Sequence, residues 1–199
     1  MAVQKISKVP VDEGRGYSLW FMPSDKLVHS KLSSMIRTIS VIYPDIVSKK
    51  RPPIFEPHIT LVGSITESLP KMFRKTKEIA AGIKPFDINF GLLRSTGNDD
   101  YFKAVYLDVN ETPGIIDASS VARKILGIRM DTDYNPHLSF VYGNFPHETK
   151  LEIVKSVFRM QNGVMSFSDC DFHVDRVALC STNGPVRLWH KIEEFQLTG

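Results

Sequence analysis

The sequence contains one short motif twice: residues 55–63 read FEPHITLVG, and residues 134–143 read YNPHLSFVYG. Each copy begins with an aromatic residue, a polar residue, proline and histidine, and continues with an aliphatic residue, a hydroxyl residue, a bulky apolar residue and valine. A third Pro-His pair, at 146–147, is not followed by the aliphatic and hydroxyl residues and is typical of a helix start. Agreement over so many positions predicts an internal duplication of the chain.

Strand geometry indicates how each copy presents its polar residues. Side chains alternate across a strand, so His58 and Thr60 share one face while the apolar residues next to them point to the other. His137 and Ser139 share a face in the same way. If the two half-chains pack with approximate two-fold symmetry, both histidine–hydroxyl pairs line a single groove.

Two imidazoles and two hydroxyls, without carboxylates, suit acid–base chemistry on a phosphate. A neutral histidine takes a proton from the attacking hydroxyl, and a protonated histidine donates one to the leaving oxygen. The hydroxyls then hydrogen-bond the non-bridging oxygens as their charge develops. We therefore predict four catalytic residues: His58, His137, Thr60 and Ser139. A single histidine on a strand is more often structural, and the duplication is what favours catalysis; the symmetry of the motifs leaves acid and base unassigned.

The composition excludes several classes of protein. With 199 residues, 42% hydrophobic and 24% charged, the chain is long and apolar enough to fold as a globular domain. A net charge of +3 does not indicate a strongly basic nucleic-acid binder. Two cysteines make no disulfide framework, and neither a signal peptide nor a run of eighteen apolar residues is present, so we expect a cytoplasmic or nuclear protein without a membrane partner.

Predicted strands and helices alternate until three strands follow one another near the end of the chain. This order predicts an α+β fold with antiparallel pairing rather than a doubly wound parallel sheet. Residues 1–15 are predicted to be a flexible tail and residues 16–199 a single domain. The predicted strands cover 17–22, 58–63, 86–93, 102–109, 137–143, 165–175, 176–181 and 187–193. The predicted helices cover 24–41, with Ser24 as the N-cap, and 67–83, 113–126 and 148–160.

Two His-x-Thr/Ser motifs about eighty residues apart resemble those of the two-histidine (2H) phosphoesterases. The segments 17–23, 102–107 and 176–180, together with Trp189, resemble one branch, the cyclic phosphodiesterases that act on ADP-ribose 1″,2″-cyclic phosphate and nucleoside 2′,3′-cyclic phosphates. The resemblance runs from about residue 17 to residue 195. It implies a bilobal, pseudo-two-fold α+β fold of antiparallel sheets with flanking helices. It also implies metal-independent chemistry without a cofactor, and catalytic roles for the four motif residues.

The resemblance further implies that Trp20 and Tyr142 contact the substrate. Alternation places Tyr142 on the face opposite His137, so a strand end or a bulge near Gly143 is needed to bring it to the site. Composition alone favours a core or rim position for Trp20, whereas the resemblance favours a stacking platform. Tyr134, next to the second motif, either stacks on a sugar or base or packs in the interior.

Other sequence signals are weaker. The basic segment 49–51 (Lys-Lys-Arg) is either a solvated loop or a contact for a phosphate backbone. Residues 131–135 begin like a calcium loop, but Pro136 and Tyr142 occupy positions that need glycine and glutamate. The cysteines and histidines near the C-terminus match no compact zinc signature, so no metal ligands are predicted. The remaining histidines are interpreted as structural or surface residues: His29, His147, His173 and His190.

The sequence thus predicts hydrolysis of a cyclic phosphodiester to a phosphomonoester by in-line attack of water. By resemblance, the preferred substrate is ADP-ribose 1″,2″-cyclic phosphate, a by-product of tRNA splicing. We expect a monomer with a small-molecule substrate and no stable nucleic-acid partner. Two alternatives stay open: an RNA-end-processing enzyme of the same superfamily, and a non-catalytic protein that binds cyclic nucleotides.

Overall fold

The computed structural model describes residues 13–14, 16–45, 50–97, 100–129, 133–164 and 166–199. Its helices are α1 (Lys26–Ile42), α2 (Leu69–Ala81), α3 (Pro113–Leu126) and α4 (His147–Met160). Its first strands are β1 (Glu13–Gly14), β2 (Tyr17–Phe21), β3 (Ile59–Ile65), β4 (Phe86–Ile88), β5 (Phe90–Ser95) and β6 (Val105–Val109). The remaining strands are β7 (His137–Val141), β8 (Phe172–Val174), β9 (Arg176–Ser181), β10 (Gly184–Pro185) and β11 (His190–Gln196).

Local sequence sets where the helices begin and end. Asp25, rather than the predicted Ser24, caps α1, because its carboxylate accepts hydrogen bonds from the backbone N–H groups two and three residues later, at 2.7 and 3.0 Å. A carboxylate at this end also interacts favourably with the helix dipole. Helix α3 starts at Pro113, which fits the first turn, and ends at Leu126, where it is capped by Gly127, whose φ of +72° is left-handed.

Most of the strands form one seven-stranded sheet with the order β11-β9-β2-β3-β7-β6-β5. Every neighbouring pair in this sheet is antiparallel, and the two motif strands, β3 and β7, lie side by side at its centre. A second antiparallel pair joins β4 to β8. The predicted α+β class with antiparallel sheets is therefore confirmed.

The chain order repeats around the centre of the sheet. The series β2-α1-β3-α2-β4-β5 is followed by β6-α3-β7-α4-β8-β9, and β4 of the first series pairs with β8 of the second. Helix α1 packs against β7 and α4, whereas α3 packs against β3 and α2, so each of these helices crosses to the other lobe. The predicted bilobal, pseudo-two-fold arrangement is present, with one motif strand in each lobe.

The apolar residues of the motif strands form the core beneath the sheet. Ile59, Leu61, Leu138 and Phe140 are each at most 2% exposed and pack in one cluster with the buried faces of the helices. Because side chains alternate along a strand, the histidines and hydroxyls next to them are turned to the opposite face of the sheet. The helical side of the sheet is thus the core, and the other side carries the polar motif residues.

Two predicted strands in the middle of the chain differ from the prediction. The strand predicted over 86–93 is divided into β4 and β5 at Asn89. The strand predicted over 102–109 starts with a 3₁₀ turn at Tyr101–Lys103, because the Asp100 carboxylate accepts a hydrogen bond from a backbone N–H of this turn at 3.2 Å. Only the second part of that segment is extended.

The C-terminal strands also differ from the prediction. The strand predicted over 165–175 is reduced to β8, after a 3₁₀ turn at Ser168–Cys170. The strand predicted over 187–193 starts later, as β11, because Val186–Leu188 forms another 3₁₀ turn. Within the predicted tail, β1 pairs with β10, and residues 1–12 and 15 lie outside the described residues. None of the helices in the described ranges has the length and apolar character needed to cross a membrane.

Candidate active site

The register between the motif strands brings the four predicted catalytic residues together. β3 and β7 are paired at the residues that directly follow the two histidines. Continuing this antiparallel register by one residue in each direction places each histidine opposite a hydroxyl, in the pairs His58–Ser139 and His137–Thr60. Two imidazoles and two hydroxyls therefore occupy adjoining positions on one face, as the sequence predicts.

Both imidazole rings are held by the same type of backbone contact. Nδ1 of His58 lies 2.6 Å from the carbonyl oxygen of Glu56, and Nδ1 of His137 lies 2.8 Å from that of Asn135. A carbonyl oxygen only accepts, so Nδ1 carries the proton of the neutral ring and donates it in each case. This leaves Nε2 of both rings as the nitrogen that can exchange a proton with a substrate.

His58 is enclosed by aromatic rings. The Trp20 indole stacks on its imidazole with ring centroids 3.8 Å apart and planes at 15°, and the Phe55 ring approaches edge-on at 6.0 Å. His58 is 5% exposed. Burial lowers the pKa of His58 to about 4, the hydrogen bond to the Glu56 carbonyl opposes this shift, and the nearby charge of His137 adds to it. His58 is consequently neutral at pH 7.

His137 has more polar neighbours. The Tyr106 ring meets its imidazole edge-on, with centroids 5.5 Å apart. Lys103 Nζ lies 4.3 Å from the centroid of that tyrosine ring and donates a hydrogen bond to the side-chain oxygen of Asn135. Asp108 is the direct partner of His137 in the register between β6 and β7. A lysine and a carboxylate therefore both lie near this histidine.

These neighbours act in opposite directions on the pKa of His137. Burial is the largest effect and lowers the pKa, while the hydrogen bond to the Asn135 carbonyl raises it. The positive charge of Lys103 lowers the pKa further, and the carboxylates of Asp100 and Asp108 raise it. Among the described residues, carboxylates thus act on the pKa of His137, and none acts on the pKa of His58.

The two hydroxyls differ in their hydrogen bonds. Ser139 is buried, and its Oγ donates to the carbonyl oxygen of Phe102 at 2.9 Å. Thr60 is half-buried, and its hydroxyl has no hydrogen-bond partner among the described residues. The threonine hydroxyl is therefore available to a bound molecule, whereas the serine hydroxyl already satisfies a backbone carbonyl.

Tyr142 reaches the same cluster because the strand ends before it. β7 stops at Val141, so strict alternation no longer applies, and the Tyr142 hydroxyl lies 3.4 Å from Nε2 of His58. Its ring stacks on Phe55 with centroids 3.8 Å apart and planes at 8°. Gly143 follows with φ +157°, and a side chain there would collide with a neighbouring ring. A strand end, one of the two explanations offered by the sequence, accounts for the position of Tyr142.

Trp20 and Tyr134 support the cluster from two sides. Trp20 is 3% exposed and pairs with Thr60 in the register between β2 and β3, so its ring packs on His58 instead of forming an open platform. The Tyr134 hydroxyl donates to the backbone carbonyl of Thr60 at 3.1 Å, and the Arg123 guanidinium lies 5.7 Å from its ring centroid. Of the two alternatives for Tyr134, the contacts favour packing.

The structure adds residues that the sequence reasoning missed. β2 pairs Trp20 with the first motif hydroxyl, and β6 pairs Tyr106 with the second, so Tyr106 is the pseudo-two-fold counterpart of Trp20. The signal for it was the matching order of strand, helix and motif in the two halves. Trp189 stacks on Phe102 with centroids 5.7 Å apart and lies 6.2 Å from the Tyr142 ring, which links the two lobes.

The remaining predicted features lie away from this cluster or outside the described residues. Lys50 and Arg51 of the basic segment are exposed, and residue 49 is not described. Cys170 and Cys180 are buried free thiols. In the part of the chain that the structure describes, no group of three or more histidine, cysteine or acidic side chains is placed to hold a metal ion.

Comparisons with known proteins agree with this geometry. Residues 15–197 match the family described as cyclic phosphodiesterase-like protein. The chain is 24% identical over 169 residues to the cyclic phosphodiesterase of Arabidopsis thaliana, and the match covers 84% of this chain and 85% of that protein. The fold is similar to that of E. coli LigT in apo form, with a TM-score of 0.59 and 13% identity over 94% of this chain and 99% of LigT. A Thermus thermophilus protein is similar as well, with a TM-score of 0.59 and 15% identity over 92% of this chain and 98% of that one.

The duplicated motif, the antiparallel sheet and the family match together assign this chain to the cyclic phosphodiesterase branch of the 2H phosphoesterases.

Proposed function

We propose that this protein hydrolyses cyclic phosphodiesters to phosphomonoesters by proton transfer between His58, His137 and the substrate, without a metal ion. The observation that carries the proposal is the matched anchoring of the two rings. Each Nδ1 donates to a carbonyl two residues earlier, which makes Nε2 the proton-exchanging nitrogen of each ring; the Tyr142 hydroxyl lies 3.4 Å from that of His58. A histidine that only stabilised the fold would not need a second histidine with the same backbone anchor.

The surroundings of the two histidines favour one assignment of roles. His58 is packed under Trp20, and the register of β2 with β3, extended by one residue, places Met22 opposite it. The equivalent partner of His137 is Asp108, a carboxylate that stabilises an imidazolium. We therefore assign His58, neutral at pH 7, as the general base and His137 as the general acid.

The reaction then proceeds in one in-line displacement. Nε2 of His58 accepts a proton from water, and the water oxygen forms a bond to phosphorus. The bond between phosphorus and the leaving ring oxygen breaks, and Nε2–H of His137 donates its proton to that oxygen. The Thr60 hydroxyl donates a hydrogen bond to a non-bridging oxygen, whose charge grows in the transition state. Exchange with solvent afterwards returns both rings to their starting protonation states.

The proposed substrate is ADP-ribose 1″,2″-cyclic phosphate, with nucleoside 2′,3′-cyclic phosphates also accepted. Family membership and the similarity to a curated cyclic phosphodiesterase support this substrate class. The test is to incubate the protein with ADP-ribose 1″,2″-cyclic phosphate or 2′,3′-cyclic AMP and to assign the products by phosphorus NMR. We expect a phosphomonoester from each and no change in rate when EDTA is added.

The same experiment distinguishes the other interpretations. Loss of activity in EDTA with rescue by a divalent ion would contradict a metal-independent mechanism. A strong preference for oligonucleotides, with rates that fall steeply as salt increases, would indicate an RNA-end-processing enzyme. Tight binding without turnover of any cyclic phosphate would indicate a nucleotide-binding protein.

A further inference from the structure

Two pockets flank the catalytic cluster, one in each lobe, at equivalent positions. Ala178 pairs with Trp20 between β9 and β2, and Arg94 pairs with Tyr106 between β5 and β6. Ala178 lines a cavity of about 600 Å³, called here the β2 pocket. Arg94 and Tyr106 line a cavity of about 420 Å³, called here the β6 pocket. The pseudo-two-fold relation of the lobes therefore extends beyond the two histidines.

The charges of the two pockets differ, although their positions match. In the β2 pocket, three cationic side chains face two carboxylates: Lys26, Arg176 and Lys191, with Asp175 and Glu194. In the β6 pocket, one cation faces two carboxylates: Arg94, with Asp108 and Glu111. Lys103 lies over the Tyr106 ring that lines the β6 pocket and adds a positive charge nearby, so an anionic part of a substrate is attracted more strongly to the β2 pocket than to the β6 pocket.

The cations of the β2 pocket can engage a ligand. Lys26 is exposed at the first position of α1 and forms no ion pair with another described residue. Lys191 pairs with Glu194 at 2.8 Å, and both side chains are partly exposed. Exposed ion pairs of this kind are weak, and a phosphate group offers a lysine more charge and more acceptor oxygens than a carboxylate.

The β2 pocket lies beside the reacting groups. Trp20, which stacks on His58, is one strand away from Ala178, and neighbouring strands are about 4.8 Å apart. His29, which also lines this pocket, lies 2.7 Å from the carboxylate of Glu56, whose backbone carbonyl holds His58. The pocket therefore begins one strand beyond Trp20, and a substrate bound at the two histidines has to extend past this side chain to enter it.

We propose that the β2 pocket is a subsite for a second phosphate or diphosphate group of the substrate, bound by Lys26 and Lys191. The proposal rests on the proposed function, because it places the cyclic phosphate at the two histidines. It makes the protein selective for cyclic phosphates that carry a further phosphate group. ADP-ribose 1″,2″-cyclic phosphate has such a group, and 2′,3′-cyclic AMP has none.

The test compares these two substrates in a variant with both Lys26→Met and Lys191→Met. We expect KM for ADP-ribose 1″,2″-cyclic phosphate to rise about tenfold with kcat unchanged, because two charge-assisted contacts are lost in the ground and transition states alike. KM for 2′,3′-cyclic AMP should change less than about twofold. The matched control carries Lys84→Met and Lys124→Met, which remove the same charge from positions outside this pocket.

Failure of the subsite and failure of the proposed function give different results. Equal changes in KM for the two substrates, or no change for either, overturn the subsite while leaving the phosphodiesterase activity intact. If the wild-type protein turns over neither substrate, calorimetric titration with inorganic diphosphate tests the subsite alone. Binding that weakens about tenfold in the Lys26/Lys191 variant and not in the control supports it, and equal or undetectable binding in wild type and variant overturns it.

Discussion

The histidines of the two lobes share a sequence context and a backbone anchor, yet their surroundings differ. His58 stacks against an indole ring and has an apolar residue opposite it on the neighbouring strand. His137 contacts the edge of a tyrosine ring, and its partner on the neighbouring strand is Asp108. The duplicated scaffold places the two rings symmetrically, and the residues on the neighbouring strands give them different proton affinities. A two-fold fold can in this way supply a base and an acid from one motif.

The largest expected effect comes from removing either ring. His58→Ala and His137→Ala should each lower kcat on the cyclic phosphate by two or more orders of magnitude, because a proton-transfer group is lost. Steady-state assays with a p-nitrophenyl phosphodiester should distinguish the base from the acid, because its leaving group needs no proton. On this substrate His137→Ala should retain more activity than His58→Ala. Equal losses on both substrates would contradict the assigned roles.

The pH dependence of folding stability provides a second way to distinguish the two histidines. The pKa of His58 falls from 6.5 in the unfolded chain to about 4 in the folded protein, so its contribution is complete above pH 6.5 and is lost as pH falls towards 4. The loss amounts to about 3 kcal/mol. The free energy of unfolding of His58→Gln, measured with urea at a series of pH values, should therefore fall less steeply below pH 6.5 than that of the wild type. An unchanged pH dependence would refute the burial argument.

Substitution of the two hydroxyl residues should have different effects on turnover and on folding stability. Thr60→Val should lower kcat about 100-fold, because its hydroxyl is free to stabilise the developing charge. Ser139→Ala should lower kcat less and should cost about 1–2 kcal/mol of unfolding free energy, because the Phe102 carbonyl loses its buried donor. Steady-state kinetics and urea unfolding measure the two effects. A larger loss of turnover in Ser139→Ala would reverse this order.

The smallest expected effects concern the charges around His137. The alkaline limb of kcat/KM reports loss of its proton in the free enzyme, and we expect that limb below pH 6.5, because the pKa of His137 is lowered. Asp108→Asn should move the limb to lower pH and Lys103→Met to higher pH, since the carboxylate raises this pKa and the ammonium lowers it. Asp117→Asn, an exposed charge on α3, is the control and should not move it. Shifts of the two variants in the same direction would contradict the charge assignment.

Much of this architecture follows from the sequence alone, because it depends on local periodicity. Alternation along two short segments is enough to place His58 with Thr60, and His137 with Ser139, on one face. The apolar residues between them predict that the other face is buried. The sequence was wrong where a local hydrogen bond competes with an extended strand, as in the 3₁₀ turn that follows Asp100.

The rest depends on tertiary packing, because it is set by how distant segments are paired. The position of Tyr142 depends on where β7 ends, and the roles of Tyr106 and Asp108 depend on the register of β6 with β7. Proton affinity likewise depends on which side chains enclose a ring, and those come from other strands. Periodicity along one segment specifies the face that a residue occupies, whereas its neighbours across the sheet are specified only once the chain has folded.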